Sequence, residues 1–320
     1  AMRKNTTLPI MLLLLLLCGC NANGGENLNS QTRFLLDTAV TLSADCDNET
    51  LSGAFKLCEE LEKTLSRTAA GSDVYRLNNS QGPVAVSDDT RFLTERAIYF
   101  SDISGGKFDV TICPVSELWD FKNQVIPDRD EIAEALKNVD YHSLAVNGNE
   151  ISANGKKLDL GALAKGYIAD KLYDYFKEIG VTRAIINLGG NVKTLGEFTV
   201  GIKKPFENTT VAAVKLKDKS AATSGIYERY IEKNGKIYHH ILDPETGYGV
   251  ENELASVTVI GDNSCDCDAL STVCMLVGNE KSAEILKDNN AEAVFIGRDG
   301  KITLTSGLYR ENDKIYFKQR

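Results

Sequence analysis

The sequence has little concentrated positive charge and few histidines, and both shortages narrow the functions open to it. The 320 residues carry a formal net charge of -9 and a pI near 5.1. No run of basic residues follows the first few positions. Because a nucleic-acid backbone is bound through clustered Lys and Arg, we expect no nucleic-acid partner. With only three histidines, few side chains qualify as a base of near-neutral pKa.

Internal repeats and low-complexity stretches are also lacking beyond the N-terminal segment, and no linker divides the rest of the chain. Hydrophobic residues make up 42% of the sequence, which is enough for a sizeable core. Strand and helix patterns alternate along the chain. We therefore expect one large domain of class α/β (α+β) over residues 33–320.

The first 19 residues have the composition of an export signal. A basic start precedes the apolar run 8–17, which is too short to cross a bilayer as a stable helix. The following Leu17-Cys18-Gly19-Cys20 resembles a lipobox, with Cys20 as the lipidated residue. We expect residues 1–19 to be removed and residues 20–32 to form a flexible tether. The domain is then exported and lipid-anchored to the bacterial cell membrane, outside the cytoplasm.

Six cysteines follow the lipobox, and in an exported protein they raise the question of disulfides. Their spacings form no disulfide framework, and we favour mostly free, buried thiols. Cys265 and Cys267 are too close for an unstrained bridge. With no second cysteine pair and no nearby histidine, they also make a poor zinc site. The six are Cys46, Cys58, Cys113, Cys265, Cys267 and Cys274.

An acid and a hydroxyl near the C-terminal end form a candidate cation site. Asp268 and Thr272 follow the β-branched run 257–260 and open an apolar segment that ends near Gly278. In a helix they lie one turn apart on the same face. Two protein oxygens suffice for Mg²⁺ when a phosphorylated ligand completes the coordination. The alternative is an acid that only complements the helix dipole.

Two glycine-containing turns suggest a site for an anionic ligand. The segment Lys157–Tyr167 changes from extended to helical at Gly161, where a ligand can approach the backbone and the following amides can hold an anion. Lys165 is placed for a phosphate. A buried-strand pattern at 184–188 then leads into Gly189-Gly190-Asn191, a tight turn of the type found near ligands.

Hydrophobic periodicity predicts the remaining elements. Residues 72–79 are polar and turn-like, and Asn147-Gly148 and Asn234-Gly235 are predicted hairpin turns. Predicted helices cover 49–67, 88–101, 130–138, the segment ending near 179, the segment ending near 278, and 282–288. Predicted strands cover 33–44, 144–146, 150–152, 184–188, 199–202, 210–216, 221–223, 227–232, 236–242, 257–260, 292–296 and 301–304.

Seven collinear motifs together resemble the FAD:protein FMN transferase family of flavin transferase lipoproteins, over essentially everything after the tether. The resemblance implies a single catalytic domain of mixed sheet and helices that is T-fold-like. The motifs are Gly106-Lys107-Phe108-Asp109 with Pro114 and Leu118-Trp119; Asp159-Leu160-Gly161 with Ala164-Lys165-Gly166-Tyr167; Asn187-Leu188-Gly189-Gly190-Asn191; Gly201-Ile202 with Pro205; Thr223-Ser224-Gly225 with Tyr227-Glu228-Arg229-Tyr230; His239-His240-Ile241-Leu242-Asp243-Pro244 with Thr246-Gly247; and Asp268-Ala269-Leu270-Ser271-Thr272.

The activity that this resemblance implies is transfer of FMN from FAD to a Thr or Ser hydroxyl of an acceptor flavoprotein, with release of AMP. Breaking a pyrophosphate requires charge neutralisation and an activated alcohol. The implied cation is Mg²⁺, with Mn²⁺ or Ca²⁺ as alternatives, held by Asp268, Thr272 and a backbone carbonyl at Ala162, with Lys165 adding positive charge. The implied acceptor is a membrane redox subunit or an extracytoplasmic electron-transfer protein.

For the base, we assign His240. His142 lies outside the motifs, and adjacent strand residues such as His239 and His240 face opposite sides, so one of the two should face the site. The alternative is a histidine that only hydrogen-bonds within the fold. The residues expected to bind FAD are Tyr75, Asn78, Asp159, Lys165, Asn187, Gly189, Gly190, Thr223, Ser224, Gly225, His240 and Asp243.

Two other functions stay open at this point. A metal-dependent FAD pyrophosphatase would use water in place of the protein hydroxyl and release free FMN and AMP. A lipid-anchored flavin-binding or carrier protein would return FAD intact. The second is the weaker alternative, because a binding protein has no need of both a cation pair and a histidine motif.

Overall fold

The computed structural model describes residues 28–318. The predicted signal, Cys20 and the tether as far as residue 27 lie outside the described residues. The helices are α1 (Asn48–Leu65), α2 (Asp73–Asn78), α3 (Asp88–Ile103), α4 (Cys113–Ser116), α5 (Arg129–Leu136), α6 (Gly161–Glu178), α7 (Ser264–Val277) and α8 (Asn279–Asp288), with a 3₁₀ turn at Tyr141–Ser143.

The strands are more numerous than the sequence patterns predict. They are β1 (Asn29–Leu35), β2 (Thr38–Ala44), β3 (Val84–Ala85), β4 (Ala145–Asn147), β5 (Glu150–Ser152), β6 (Ala184–Leu188), β7 (Asn191–Leu195), β8 (Glu197–Lys203), β9 (Thr210–Lys217), β10 (Ser220–Gly225), β11 (Tyr230–Lys233), β12 (Lys236–His239), β13 (Leu254–Gly261), β14 (Glu292–Gly297), β15 (Ile302–Leu304), β16 (Leu308–Glu311) and β17 (Lys314–Phe317).

An eight-stranded sheet in the order β1-β2-β6-β7-β10-β13-β14-β15 forms the centre of the domain, and every neighbouring pair in it is antiparallel. A four-stranded sheet, β16-β17-β9-β8, contains one parallel pair, β17 with β9. Two smaller sheets are β3-β5-β4 and the hairpin β11-β12. The expected single domain of mixed sheet and helices is confirmed, with the antiparallel arrangement that defines the α+β class.

Side-chain alternation gives the central sheet a core on each face. All eight residues of β13 are buried, as expected for a central strand covered on both sides. Val257 and Val259 join a cluster that includes the buried faces of α1, α6 and α7. Ile260, the next residue, packs with Val200 and Ile315 of the four-stranded sheet. The domain therefore has three layers, which are helices, large sheet and small sheet.

Three sequence predictions about the N-terminal region are wrong. The single strand predicted at 33–44 is a hairpin, whose turn residues Leu36 and Asp37 both have positive φ, 54° and 57°. That turn lacks the Asn-Gly or Asp-Gly signature, so the pattern gave no sign of it. β1 begins at Asn29, so residues 29–32 belong to the sheet and not to the tether. Within the stretch 72–79, predicted as turn-like, residues 73–78 form α2, and the Ser72 side chain caps it by accepting from the N–H of Tyr75.

No helix among residues 28–318 is long and apolar enough to cross a membrane. The six cysteines Cys46 to Cys274 are unpaired in this part of the chain, and all except Cys46 are buried. Burial raises the pKa of Cys58 to about 12. These thiols are therefore protonated and contribute to the core as small apolar groups.

Candidate active site

The N-terminal halves of α6 and α7 meet at a contact that only glycine permits. A Cβ built on Gly166 would lie 2.2 Å from the carbonyl oxygen of Ser264 and 2.8 Å from Cβ of Asp268. At this close approach, the backbone N–H of Gly166 donates a hydrogen bond to Asp268 Oδ2, with a distance of 2.9 Å. The motif that contains Lys165 and the motif that contains Asp268 are therefore joined directly, although 102 residues separate the two bonded positions.

Asp268 is a buried carboxylate, with 5% of the residue exposed. Burial raises its pKa because the anion loses solvation, and the charge of Lys165 and the N–H of Gly166 oppose that shift. A carboxylate in such a setting is stabilised by any further positive charge. This electrostatic environment suits a bound cation.

Hydroxyl groups from β10 and α7 meet about one helical turn after Asp268. Ser224 Oγ is 3.1 Å from Thr272 Oγ1 and 2.7 Å from Ser271 Oγ. Thr272 is half-buried and lies one helical turn after Asp268. The motifs at 223–225 and 268–272 thus meet in the structure. Thr223, in the same strand as Ser224, has its hydroxyl 2.8 Å from that of Thr258. Gly225 is also a packing position, since a Cβ there would lie 2.6 Å from the Tyr227 ring.

The donor set fits a hard cation. In a regular helix the N–H of residue 166 donates to the carbonyl of residue 162. Here the Gly166 N–H donates to Asp268. The carbonyl oxygen of Ala162 therefore keeps a lone pair that a cation can use. Carboxylate, hydroxyl and carbonyl oxygens are the ligands that Mg²⁺ prefers. Within residues 28–318 no three His, Cys, Asp or Glu side chains are grouped as a metal site, so such a cation depends on these mixed oxygens.

Lys165 links this region to the histidine motif. Its Nζ donates to the carbonyl oxygen of Gly161 at 3.3 Å, which folds the side chain back along α6. The charge of Lys165 lowers the pKa of Asp268 and contributes to lowering that of His240. One ammonium group therefore acts on the candidate cation ligand and on the candidate base.

The two adjacent histidines have different hydrogen-bond partners, and only His239 lies in a strand. His239 ends β12 with 2% of its surface exposed, and its Nε2 lies 3.1 Å from the carbonyl oxygen of Val250. His240 is half-buried, and its Nδ1 lies 3.2 Å from the carbonyl oxygen of Arg229. Desolvation, followed by the charge of Arg229, lowers the pKa of His240 from 6.5. Its imidazole is therefore neutral at physiological pH, which is the form that accepts a proton.

Two residues near these motifs were missed by the sequence reasoning. The ring of Phe121 lies edge-on to His240 at 6.4 Å, between that histidine and Trp119, on which it stacks at 5.8 Å. Arg67 Nε lies 3.5 Å from Asp159 Oδ2, and its Nη1 lies 3.3 Å from Glu117 Oε1. The position of Phe121, two residues beyond the predicted Leu118-Trp119 motif, was the available signal. Nothing in the sequence pairs Arg67 with Asp159.

Several predicted FAD-binding residues are engaged within the fold. Asp159 Oδ1 accepts from the Gly161 N–H at 2.9 Å, at the start of α6. Asn78 donates to the carbonyl of Leu158 and accepts from its N–H, at 2.9 and 2.7 Å. The Asn78 amide thus fixes the segment that leads into Asp159. Tyr75 lies half-buried in the same short helix, α2, and its contact with FAD stays a prediction.

The glycine turn connects β6 and β7. Gly189 and Gly190 have φ of 64° and 106°, values that favour glycine. A Cβ on Gly189 would lie 2.3 Å from Thr38 Oγ1, so packing alone requires this glycine. Asn187 is exposed, and its Oδ1 accepts from the Gly190 N–H at 3.2 Å.

Asp243 lies in the turn after the histidine motif. It accepts from Lys107 Nζ at 3.2 Å and from the N–H of Glu245 at 2.9 Å. This ion pair connects the motif around residue 107 with that around residue 243. The structure therefore brings the first and sixth predicted motifs together.

Known proteins resemble this chain over most of its length. The ApbE family model matches residues 36–295. A Klebsiella pneumoniae protein named FAD:protein FMN transferase is 37% identical over 289 residues, covering 87% of this chain and 92% of that protein. A Treponema pallidum protein of the same name is 33% identical, covering 81% of this chain and 80% of its own length.

Solved structures agree as well. The ApbE protein of Thermotoga maritima has a TM-score of 0.80 at 29% identity, covering 88% of this chain and 97% of that one. The flavin transferase ApbE of Vibrio cholerae has a TM-score of 0.78 at 26% identity, with coverages of 88% and 97%. By sequence and by fold, this chain belongs to the ApbE family.

Proposed function

We propose that this protein is a flavin transferase that moves FMN from FAD onto a Thr or Ser hydroxyl of an acceptor flavoprotein and releases AMP. The name shared by the relatives, FAD:protein FMN transferase, supports FAD as donor and a protein as acceptor. The observation that carries the proposal is the contact of α6 with α7, where the Gly166 N–H donates to Asp268 and the neighbouring Lys165 carries a charge that acts on Asp268 and on His240. A candidate cation ligand and a candidate base therefore share one electrostatic site.

A divalent cation, Mg²⁺ first and Mn²⁺ or Ca²⁺ as alternatives, fits the oxygens of Asp268, Thr272 and the Ala162 carbonyl. When bound, it would supply positive charge to the pyrophosphate oxygens of FAD. The fit rests on the buried carboxylate of Asp268 and on the N–H of Gly166, which donates to that carboxylate. Lys165 adds a second positive charge beside the phosphates.

His240 is the proposed base. Its neutral ring accepts the proton of the incoming hydroxyl, whose oxygen then bonds to the phosphorus of the FMN half. The bond from that phosphorus to the bridging oxygen breaks, and AMP leaves with the oxygen. Because the Arg229 carbonyl oxygen can only accept, the hydrogen bond is donated by Nδ1–H, which leaves Nε2 as the nitrogen that accepts the proton.

The remaining contacts to FAD follow from the motifs. We assign Thr223, Ser224 and Gly225 to the ligand because their strand lies against Thr272. Asp159, Asn187, Gly189, Gly190, Asp243, Tyr75 and Asn78 keep their proposed FAD-binding roles, with Asn78 acting through the backbone of Leu158.

The proposal is tested by incubating the protein with FAD and Mg²⁺, with and without a redox acceptor domain produced free of flavin. Transfer predicts AMP release that depends on the acceptor, together with flavin fluorescence that stays on the acceptor in a denaturing gel. Free FMN formed without acceptor would instead establish a pyrophosphatase. FAD recovered intact under all conditions would establish a carrier.

We also propose that the chain is exported and lipid-anchored through Cys20, with the domain outside the cytoplasm. The support is the apolar run followed by Leu17-Cys18-Gly19-Cys20. Labelling cells with radioactive palmitate tests this proposal. Label on wild type and on Cys18→Ser, but not on Cys20→Ser, is expected. Label retained by Cys20→Ser would contradict the assignment.

A further inference from the structure

Asp170 ties α6 to α7 at a second point, one turn beyond Gly166. Its Oδ1 accepts from the N–H of Ser264 and its Oδ2 from the N–H of Cys265, both at 2.9 Å. These are the first two amides of α7, which have no partner inside their own helix. The third is satisfied by Asn263, whose side chain accepts from the N–H of Asp266 at 2.9 Å. The cap of α7 is therefore supplied in part by another helix.

Lys193 compensates the charge of this carboxylate. Its Nζ lies 3.3 Å from Asp170 Oδ1, with only 5% of the lysine side chain exposed, and it also donates to the carbonyl of Asp262. The ammonium lies 4.7 Å from the centre of the Tyr173 ring. Burial raises the pKa of Asp170, and Lys193 opposes that shift. A buried pair of this kind is costly to break, because one charge is then left without a partner.

The two ties between α6 and α7 run in opposite directions. At Gly166 the N–H of α6 donates to a side chain of α7. At Asp170 a side chain of α6 accepts from the N–H groups of α7. Positions 166 and 170 lie on one face of α6. Two such ties, one turn apart, fix the rotation of α7 about its axis, and with it the direction of the Asp268 side chain.

We propose that Asp170, held by Lys193, is a positioning residue that sets Asp268 for cation binding. This inference rests on the proposed function. The proposed role of Asp170 and Lys193 requires no contact with the cation or with FAD. Both side chains act through the start of α7. Partners that orient a metal ligand are worth about 10–100-fold in metal affinity or activity.

The test is a titration of the FAD-loaded protein with Mn²⁺, followed by electron paramagnetic resonance, which counts bound cation without measuring turnover. In Asp170→Asn, the new amide nitrogen cannot accept, so one N–H of α7 loses its partner and Lys193 loses its counter-charge. We expect the Kd for Mn²⁺ to rise about tenfold or more. Asp174→Asn is the matched control, since Asp174 is exposed on the same helix one turn later.

A second pair of variants separates positioning from a general loss of structure. Lys193→Met keeps both hydrogen bonds of Asp170 but removes its counter-charge, so the Kd for Mn²⁺ should also rise. Lys193→Arg keeps the charge, so its Kd for Mn²⁺ should equal that of wild type, with FAD affinity unchanged. Equal Mn²⁺ affinity in Asp170→Asn, Lys193→Met and Asp174→Asn would overturn the inference and leave the proposed function standing. If wild type binds no Mn²⁺ with FAD present, the cation role in the proposed function fails, and this inference fails with it.

Discussion

His240 and Asp268 are shifted in pKa in opposite directions, and both shifts suit their proposed roles. The imidazole loses affinity for a proton, so it stays neutral and able to accept one. The carboxyl group gains affinity for a proton because burial disfavours its anion, which a cation would stabilise. Burial is the largest cause of both shifts.

Replacing His240 with Gln should lower transfer about 10²–10⁴-fold, the usual worth of a general base. FAD binding should be retained, because the ring is not proposed to carry the phosphates. His142→Gln, at an exposed histidine outside the motifs, is the control. Rates of acceptor labelling and FAD affinity are the measurements. An unchanged rate in His240→Gln would remove the base assignment.

The pH profile provides a separate check on His240. Its pKa in the folded enzyme lies below 6.5, and the neutral form is active. Wild-type transfer should therefore persist as the pH falls through 6.5 and decline only at lower pH. A profile that falls with an apparent pKa at or above 6.5 in the free enzyme would contradict this environment.

His239 makes a prediction about stability. Burial, the largest cause, lowers its pKa from 6.5 to about 4. Between those values the unfolded chain binds a proton that the folded chain does not, so the free energy of unfolding should fall by about 3 kcal/mol as the pH drops from 6.5 to 4. The contribution is present in full above pH 6.5. Denaturant unfolding of wild type and His239→Gln at several pH values measures this contribution. If the free energy of unfolding depends on pH equally in the two proteins, the prediction is contradicted.

At the scale of elements, the contact between α6 and α7 determines the geometry of the site. Gly166→Ala would place a Cβ against backbone and Cβ atoms that cannot move alone. We expect a loss of about 1–3 kcal/mol of stability and weaker cation binding. Gly53→Ala in α1 is the control, because the Cβ there meets the movable hydroxyl end of Tyr175. Chemical denaturation measures the loss of stability, and Mn²⁺ titration measures the weaker binding. A Gly166→Ala protein with wild-type stability and wild-type Mn²⁺ affinity would contradict the prediction.

Sequence patterns located most elements that carry their own local signals. The α7 segment, the buried β6 and the Asn234-Gly235 hairpin of β11 and β12 follow from apolar periodicity and turn residues. The β1–β2 turn at Leu36-Asp37 carries no such signal. β16 and β17 were missed as well. They pair with each other, and β17 also pairs with β9, a contact between distant parts of the chain.

At the scale of the whole molecule, sequence motifs named the site but not what connects its parts. Asp268, Thr272, Lys165 and the histidine pair were selected from motif order. The N–H of Gly166 on Asp268 and the cap that Asp170 provides join positions about a hundred residues apart. Such contacts depend on how α6 and α7 pack together on one face of the central sheet. No spacing within one motif reveals them.

The central claim is that the α6–α7 contact forms a cation-dependent flavin-transfer site, and Asp268→Asn tests it most directly. Asn keeps an oxygen for the Gly166 N–H and removes the buried charge, so the fold should remain. The measurement is covalent flavin on a flavin-free acceptor domain, followed by gel fluorescence while Mg²⁺ is titrated. We predict cation-dependent labelling by wild type and a loss of about 100-fold or more in the variant. Wild-type labelling by Asp268→Asn would contradict the account.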